Sequence, residues 1–250
     1  MYQPFVDAAL LACKKVAESI DSNKELSAYL PQEIGAGGDI SIGFDMMAEA
    51  IFIEHLSSFG TISSEESGLI GSSSDCLIIL DPVDGSDNLK SKFPYYGASI
   101  ALQEAGVTVV GIVCNFANGD CFVRNQNEYY KSSIFDTASH ETVKSHTYGR
   151  VGLFEKAHEH PDMIQVLMEH GLKFRSPGAV ALSLAYAHYV KYVLFFGTMR
   201  SYDLEAGLFL CQELYCYQDD EILIISKEEE TYQLLLTLFQ RGRSEHSRYI

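Results

Sequence analysis

The stretch with the clearest chemistry is Asp81–Asn88, which reads DPVDGSDN and follows the apolar run Cys76–Leu80. A buried strand delivers the residues after its C-terminal end to the edge of a sheet, where α/β proteins commonly bind ligands. Because Pro82 cannot continue a strand ladder, we expect the chain to turn there. The stretch therefore predicts that Asp81 and Asp84 present two carboxylates at a sheet edge.

The residues that follow these carboxylates suit a phosphate. Gly85 permits a positive φ and a close approach of a ligand, so Gly85, Ser86 and Asp87 can present successive N–H groups to an anion. A phosphate beside carboxylates is repelled unless divalent cations lie between them, and Mg²⁺ binds both kinds of oxygen. The predicted chemistry is metal-assisted hydrolysis of a phosphate ester. A calcium-binding EF-hand does not fit, because Val83 and Lys92 stand at two of its ligand positions.

Further acidic residues stand at element ends along the chain. Glu65 and Glu66 follow the β segment 61–64, Asp45 stands at a helix start, and Asp203 lies in the first turn of an apolar helix. Neighbouring glutamates on an extended chain point to opposite faces, so one of the pair can face a metal. Each acid also has a simpler interpretation, as a surface turn, a helix cap or a favourable partner of the helix dipole.

In this order the motifs resemble the inositol monophosphatase superfamily, over about residues 35–215. They are Gly38-Asp39 with Asp45 and Glu49, then EESG at 65–68, DPVDGSDN at 81–88 and YDLEAG at 202–207. The superfamily contains inositol monophosphatases, fructose-1,6-bisphosphatases and 3′(2′),5′-bisphosphate nucleotidases. The resemblance implies a layered α/β/α/β/α sandwich of the sugar-phosphatase type, two or three Mg²⁺ ions, inhibition by lithium and usually a homodimer.

The resemblance also implies a set of metal ligands. Glu65, Asp81 and the carbonyl of Val83 would hold a first Mg²⁺. Asp81, Asp84 and Asp203 would hold a second, and a third, weaker ion would lie by Glu65. Asp84 would also contact the substrate phosphate.

Other implied roles concern the phosphate and the attacking water. Backbone groups of Gly85 and Ser86 would bind the phosphate, and the Ser86 hydroxyl would orient the water. Asp45 would act with Ser86 in a relay that activates the water, and Glu65 would be a further catalytic residue. Glu66 would contact these groups from outside the ligand set.

Substrate specificity is where the chain departs from the family pattern. Inositol-specific members carry an acid about seven positions before the last metal aspartate, whereas Phe195–Gly197 has none here, which speaks against inositol monophosphate. Gly178 and Ala179 match the family's substrate-wall segment loosely. Arg200 suits a second phosphate, as does Arg175, because a guanidinium binds phosphate through two donors. The alternative is that both arginines lie at the surface.

Composition narrows the class of protein. The 250 residues include 18 Lys and Arg against 34 Asp and Glu, a formal charge of −16, which argues against nucleic acid and anionic membranes as partners. The N-terminus lacks a signal-peptide pattern, so we expect a cytoplasmic protein. The six cysteines form no C-x-x-C pair and most lie in apolar runs, so we expect them to be reduced.

Apolar periodicity predicts a mixed α+β and α/β chain. We expect an α+β subdomain over 1–135 that carries most metal ligands, and an α/β subdomain over 136–250 that supplies Asp203 and the substrate wall. Polar Ser132–His146 is expected to be a connection. Helices are expected over 4–21, 44–59, 161–170, 179–189, 202–215 and 228–240, and strands over 61–64, 76–80, 98–103, 107–113, 121–124, 149–154, 191–196 and 222–226.

These observations predict a Mg²⁺-dependent phosphatase that hydrolyses a phosphate monoester of a small metabolite, such as an inositol phosphate, a sugar phosphate or a bisphosphate. Two alternatives stay open. One is a 3′(2′),5′-bisphosphate nucleotidase, and the other is a non-catalytic member of the same fold that acts by binding a partner.

Overall fold

The structure, a computed structural model, describes residues 2–22, 26–38 and 40–246, so Asp39 of the proposed family motif lies outside the described residues. Short 3-10 turns occur at Leu26–Tyr29 and Ala157–Glu159. The described helices are α1 (Gln3–Ser22), α2 (Gly43–Leu56), α3 (Ser86–Lys90), α4 (Pro161–Glu169), α5 (Val180–Ala185), α6 (Ser201–Leu210) and α7 (Glu229–His246). The described strands are β1 (Pro31–Ile34), β2 (Ile40–Ile42), β3 (Thr61–Ser64), β4 (Gly68–Ile70), β5 (Cys76–Asp84), β6 (Gly97–Glu104), β7 (Val107–Asn115), β8 (Asp120–Asn125), β9 (Tyr129–Ser133), β10 (Asp136–Thr142), β11 (Gly152–Glu155), β12 (Phe174–Arg175), β13 (Val193–Phe196), β14 (Tyr215–Gln218) and β15 (Ile222–Ser226).

The chain divides into two compact units that are not separated by a single cut. The first unit comprises Met1–Val143 together with Ala179–Ala185 and Arg200–Leu210. The second comprises Lys144–Gly178, Tyr186–Met199 and Cys211–Ile250. Because α5 and α6 belong to the first unit, Asp203 lies in the same unit as the acids of the N-terminal half.

An eight-stranded sheet forms the centre of the first unit, in the order β10-β9-β8-β7-β6-β5-β3-β4. Its strands pair antiparallel except for β3 and β5, which run parallel. One face packs on α1 and α2 through a core that includes Phe5, Phe44, Ile78, Leu80 and Ile112. The short pair β1–β2 lies outside this sheet.

The opposite face of the sheet packs on α6. Cross-strand register pairs Ile79 with Ala101 and Ala101 with Gly111, so these three residues share one face. A Cβ on Gly111 would lie 3.0 Å from the carbonyl oxygen of Ala206 in α6, which identifies that face. Because side chains alternate along a strand, Asp81 points to the same side as Ile79, toward α6.

An irregularity in β5 brings its two aspartates to one side. Residues three apart in a regular strand point to opposite faces. Here the pairing with β6 shifts register between Asp81 and Asp84, and Asp84 contacts α5. Val83, between them, joins the core on the α1–α2 side. The expected turn at Pro82 is therefore wrong: the strand continues to Asp84, and Gly85, with φ of 88°, is the residue directly before α3.

The second unit contains a five-stranded mixed sheet in the order β12-β11-β13-β15-β14. Strand β11 runs parallel to β12 and β13, whereas β15 runs antiparallel to β13 and β14. Its core includes Phe154, Leu167, Tyr192, Ile224 and Leu235, contributed by the sheet and by α4 and α7. Of the helices expected in the C-terminal half, α4 and α7 belong to this unit, whereas α5 and α6 belong to the first unit.

Several expectations need correction. Ser132–His146 is not only a connection, because β10 pairs with β9 at the sheet edge. The described side chains of β10 are exposed, so this strand lacks the apolar alternation that indicates a strand in a sequence. The expected helix 202–215 ends at Leu210, and Tyr215 begins the unexpected strand β14.

The cysteines also differ from the expectation of six reduced thiols. Cys114 and Cys121 form a disulfide, while Cys13, Cys76, Cys211 and Cys216 take no part in one. Cys114 lies directly opposite Cys121 in the β7–β8 ladder. This register, which spacing in sequence does not reveal, brings the two sulfurs together.

The mixed α/β layered fold expected from the sequence is confirmed, with two large sheets and seven α-helices among residues 2–22, 26–38 and 40–246. Over the same residues, no helix combines the length and apolar character needed to cross a membrane.

Packing of α6 on α5 generates a stability prediction at Gly207. A Cβ there would lie 2.6 Å from Cβ of Leu184. A glycine-to-alanine change in an open helix gains about 1 kcal/mol, whereas overpacking costs roughly 1–3 kcal/mol. We therefore expect Gly207→Ala to lower the free energy of unfolding, measured by urea denaturation.

A double-mutant cycle with Leu184→Ala isolates this contact. Leu184→Ala removes Cδ1 and Cγ, which would lie 2.5 and 3.1 Å from the added methyl group, but keeps Cβ. Because part of the overlap is relieved, Gly207→Ala should cost less in that background. A stabilising effect of Gly207→Ala in the otherwise unchanged protein would contradict the prediction.

Candidate functional site

Three buried carboxylates converge in the first unit. Glu65 follows β3, Asp81 lies in β5 and Asp203 lies in the first turn of α6, with exposures of 8%, 2% and 5%. Each offers an oxygen, and these oxygens all lie within 4.8 Å of one another. Sequence analysis named all three as metal ligands, and the fold brings them together.

Asp84 lies beside this group and caps α5. Its Oδ1 accepts a hydrogen bond from the N–H of Val180 at 3.1 Å, and its Oδ2 accepts one from Leu182 at 3.0 Å. These N–H groups belong to the first turn of the helix, which has no intrahelical partners for them. Asp84 thus holds the start of α5 against the end of β5, a structural role that the sequence did not predict.

Electrostatics show how unfavourable this group of carboxylates is without a cation. Burial raises the pKa of Asp81 well above its usual range, and the charges of Glu65, Asp84, Asp203 and Asp45 raise it further. A divalent cation relieves both causes, because it supplies opposite charge and replaces water as a partner of the oxygens. Closely spaced carboxylate oxygens are also the donors that Mg²⁺ prefers, so Glu65, Asp81 and Asp203 fit such an ion.

Asp45 and Ser86 form a hydrogen-bonded pair next to Val83. The Ser86 hydroxyl lies 2.9 Å from Oδ1 of Asp45 and 3.0 Å from the carbonyl oxygen of Val83, so its single proton can go to either. Oδ2 of Asp45 accepts a hydrogen bond from the N–H of Ile42, the residue before α2, at 2.7 Å. The helix-capping and relay interpretations of Asp45 are therefore compatible.

The pKa of Asp45 is raised to about 7. Burial is the main cause and the charge of Glu66 adds to it, whereas the hydrogen bonds from Ile42 and Ser86 and the charge of Lys90 act in the opposite direction. Glu66, which the sequence placed outside the ligand set, thus acts on Asp45 through its charge. A carboxyl group with this pKa can exchange protons near neutral pH.

Gly85 is closely surrounded at the start of α3. With φ of 88°, it adopts a conformation that other residues rarely take. A Cβ there would come within 2.9 Å of the carbonyl oxygen of Tyr95 and 3.1 Å of Cβ of Ala179. Ala179, one of the expected substrate residues, therefore lies next to Gly85. Gly178 belongs to the second unit, where its N–H donates to Oε2 of Glu155 at 2.8 Å, and its substrate role stays a prediction.

The position of Arg200 differs from the expected one. From the sequence, its guanidinium was expected either to bind a second phosphate or to lie at the surface. In the structure Nε and Nη2 donate to the two carboxylate oxygens of Asp203, at 2.8 and 3.1 Å, and Nη1 lies 2.9 Å from Oε1 of Glu65. The guanidinium therefore forms ion pairs with two of the three clustered carboxylates. The sequence offered a signal, because Arg200 and Asp203 are three residues apart around the start of α6.

Two contacts that sequence analysis did not assign hold the Glu65 turn in place. The Glu49 carboxylate accepts hydrogen bonds from the N–H of Ser67 at 3.0 Å and from its hydroxyl at 2.6 Å. The N–H of Gly37 donates to the carbonyl oxygen of Glu65 at 2.6 Å, and a Cβ on Gly37 would lie 2.8 Å from Oε1 of Glu65. Glu49 follows Asp45 by four positions on one helical face, a spacing that could have pointed to it.

Comparison with known proteins identifies a family for this chain. The family model described as "Inositol monophosphatase family" matches residues 1–216. The chain is 26% identical over 220 residues to Nus factor SuhB of Escherichia coli K12, covering 84% of this chain and 82% of the relative. It is 27% identical over 203 residues to a fructose-1,6-bisphosphatase/inositol-1-monophosphatase of Methanothermobacter thermautotrophicus, covering 72% of this chain and 71% of that relative.

Solved structures share the fold. The extragenic suppressor protein SuhB of Bartonella henselae superposes with a TM-score of 0.76 at 20% identity, covering 94% of this chain and 98% of that one. An inositol monophosphatase from Anabaena superposes with a TM-score of 0.71 at 19% identity, covering 95% and 96%. With a family model that matches most of its length and the same fold, this chain belongs to the inositol monophosphatase family.

Proposed function

We propose that this chain is a Mg²⁺-dependent phosphatase that hydrolyses a phosphate monoester of a small metabolite by attack of water. The observation that supports it most is the convergence of Glu65, Asp81 and Asp203, buried and within 4.8 Å of one another. Such a group is costly in a folded protein unless it binds cations. Family membership supports the same activity.

The ligand set that we propose follows the sequence analysis. Glu65, Asp81 and the carbonyl of Val83 would hold one Mg²⁺, Asp81, Asp84 and Asp203 a second, and a third, weaker ion would lie by Glu65. When bound, Mg²⁺ supplies positive charge that stabilises the phosphoryl oxygens and the leaving oxygen.

Residues of the chain supply orientation and proton transfer. The N–H groups of Gly85 and Ser86 would bind the phosphate, because left-handed Gly85 opens the short helix α3. The Ser86 hydroxyl would orient the attacking water. Asp45, with its pKa of about 7, would take up a proton through Ser86 near neutral pH. Glu65 would assist as a further catalytic residue. Glu66 would not bind a metal itself, but its charge would act on Asp45.

A monophosphate of a small metabolite is the substrate class that we favour. A second phosphate would need a guanidinium group as its partner, whereas that of Arg200 contacts Asp203 and Glu65. Arg175 is exposed in the second unit, and its Nη1 donates to the carbonyl oxygen of Phe174. The relative from Methanothermobacter, named for both a bisphosphatase and a monophosphatase, makes both classes worth testing.

A substrate panel tests the proposal. Phosphate release should be measured on inositol-1-phosphate, fructose-1,6-bisphosphate, 3′-phosphoadenosine 5′-phosphate and sugar monophosphates, each with Mg²⁺ and with EDTA. We expect turnover of a monophosphate that EDTA abolishes. Preference for 3′-phosphoadenosine 5′-phosphate would instead support the bisphosphate nucleotidase alternative.

A second candidate is a non-catalytic role in which the chain binds a macromolecular partner. The observation that favours it is the 26% identity over 220 residues to a relative named Nus factor SuhB. Absence of phosphate release from the whole panel, with Mg²⁺ binding retained, would favour this role. Three expectations from the sequence stay predictions. They are that the chain does not bind nucleic acid, that it is a cytoplasmic homodimer, and that lithium inhibits it.

Removing one central carboxylate should abolish turnover. Asp81→Asn keeps an oxygen for the N–H of Val83, which lies 2.9 Å from Oδ1 of Asp81, so the local fold should survive. Because the charge that binds the cation is lost, we expect kcat to fall by at least about 100-fold at saturating Mg²⁺. The measurement is steady-state phosphate release on the best substrate of the panel.

Asp87→Asn is the matched control for this change. Asp87 lies in the same motif, but its side chain is 95% exposed and pairs with Lys90. We expect its kcat to stay within about twofold of the unchanged protein, because exposed ion pairs contribute little. Near-normal turnover of Asp81→Asn would contradict the proposed ligand role.

The raised pKa of Asp45 predicts a pH dependence of stability. Between its ordinary pKa of 3.8 and its folded value of about 7, the folded state holds a proton that the unfolded state has lost. In EDTA, the free energy of unfolding should therefore fall as pH rises from about 4 to about 7. Asp45→Asn removes this loss, so the variant should gain roughly 2–4 kcal/mol relative to the unchanged protein across that range.

Urea denaturation at a series of pH values measures this difference. The asparagine can accept from Ile42 and donate to Ser86, whose own proton goes to Val83, so no buried polar group is left without a partner. Asp87→Asn again serves as control and should follow the unchanged protein. Parallel curves for Asp45→Asn and the unchanged protein would show that Asp45 does not titrate in this range.

A further inference from the structure

Arg200 bridges two of the three clustered carboxylates. Its Nε and Nη2 engage both oxygens of Asp203, at 2.8 and 3.1 Å, in the two-pronged geometry that makes such pairs strong. Its Nη1 lies 2.9 Å from Oε1 of Glu65 and donates to the carbonyl oxygen of Gly37 at 3.1 Å. One guanidinium thus joins carboxylates that are far apart in sequence.

This pairing is largely sheltered from water. The side chains of Asp203 and Glu65 are 7% and 11% exposed, and that of Arg200 is 28% exposed. Screening by solvent is therefore weaker than for a surface ion pair. The charge of Arg200 offsets part of the repulsion among the buried carboxylates.

The carboxylate oxygens of Asp203 and Glu65 attract both the guanidinium and a divalent cation. The contacts of Arg200 engage both oxygens of Asp203 and one of Glu65. A carboxylate oxygen that accepts a charged hydrogen bond at this distance donates less electron density to a metal, and the positive charge of Arg200 repels a cation nearby. Both effects oppose metal binding at this position.

We infer that Arg200 is an internal counter-ion that competes with the divalent cation for Asp203 and Glu65. This inference rests on the metal site of the proposed function. The positive charge of Arg200 beside these oxygens opposes cation binding, so Arg200 lowers the affinity for metal while stabilising the metal-free protein. Arg200 then sets the cation concentration at which the site fills, instead of binding a second phosphate.

Direct titration with Mn²⁺, monitored by the electron paramagnetic resonance of the free ion, tests this inference without any activity assay. In Arg200→Gln the competitor is lost, so we expect Mn²⁺ to bind about tenfold more tightly than in the unchanged protein. Arg200→Lys keeps the charge but loses the two-pronged geometry, and its affinity should lie between the two. Arg175→Gln, which removes an exposed arginine of the second unit, should bind Mn²⁺ with unchanged affinity.

Thermal unfolding supplies a second readout. In EDTA, Arg200→Gln should unfold at a lower temperature, because Asp203 and Glu65 lose their counter-ion. Saturating Mn²⁺ should raise its Tm by more than it raises that of the unchanged protein, since the stabilisation grows as Kd falls. If Arg200→Gln does not fold in EDTA, Arg200→Lys carries the same test, with tighter Mn²⁺ binding as the expected result.

The outcomes separate this inference from the proposed function. Equal or weaker Mn²⁺ binding in both Arg200 variants, with a measurable site in the unchanged protein, would overturn the competition and leave the metal-dependent function in place. No Mn²⁺ binding in any of the proteins would overturn the proposed function and this inference with it. A residue that only supported the local fold would weaken binding when replaced, so tighter binding distinguishes competition from a structural role.

Discussion

Repulsion among buried like charges is the constraint on which the rest of this structure depends. Asp81 lies in the interior with Glu65, Asp84, Asp203 and Asp45 near enough to raise its pKa. No soluble fold gains stability from such a group by itself. The surrounding structure offsets the cost through hydrogen-bond donors to the oxygens and through Arg200, and a bound cation would offset the remainder.

The elements around the site are arranged to hold these carboxylates close together. The register irregularity in β5 directs Asp81 and Asp84 to the side of the sheet where α5 and α6 pack. Asp84 then fixes the start of α5, and the close approach of α5 to Gly207 positions α6. Stability and the candidate chemistry are therefore coupled, because the same aspartate caps a helix and stands beside the proposed metal.

Function follows from the balance of charges around the site. The oxygens suit Mg²⁺, the N–H groups at Gly85 suit a phosphate, and Asp45 has a pKa that suits proton transfer near neutral pH. Arg200 opposes the first of these, since its guanidinium takes oxygens that a cation would use. In the proposed function, Arg200 would stabilise the metal-free fold, and the cation would have to bind against this internal charge before the site could act on a phosphate.

The sequence by itself named Glu65, Asp81 and Asp203, the acids that the fold brings together. They stand beside a buried strand, a glycine or a helix start, within motifs that resemble a known family. The sequence also determined most elements, since apolar periodicity is a local property. The tertiary structure decided the contacts between distant segments. The register shift in β5 and the exposed strand β10 depend on pairing with neighbouring strands. The cap of α5 and the pairing of Arg200 with Glu65 join segments about a hundred residues or more apart. Apolar periodicity carries no information on either, because it is a property of one segment at a time.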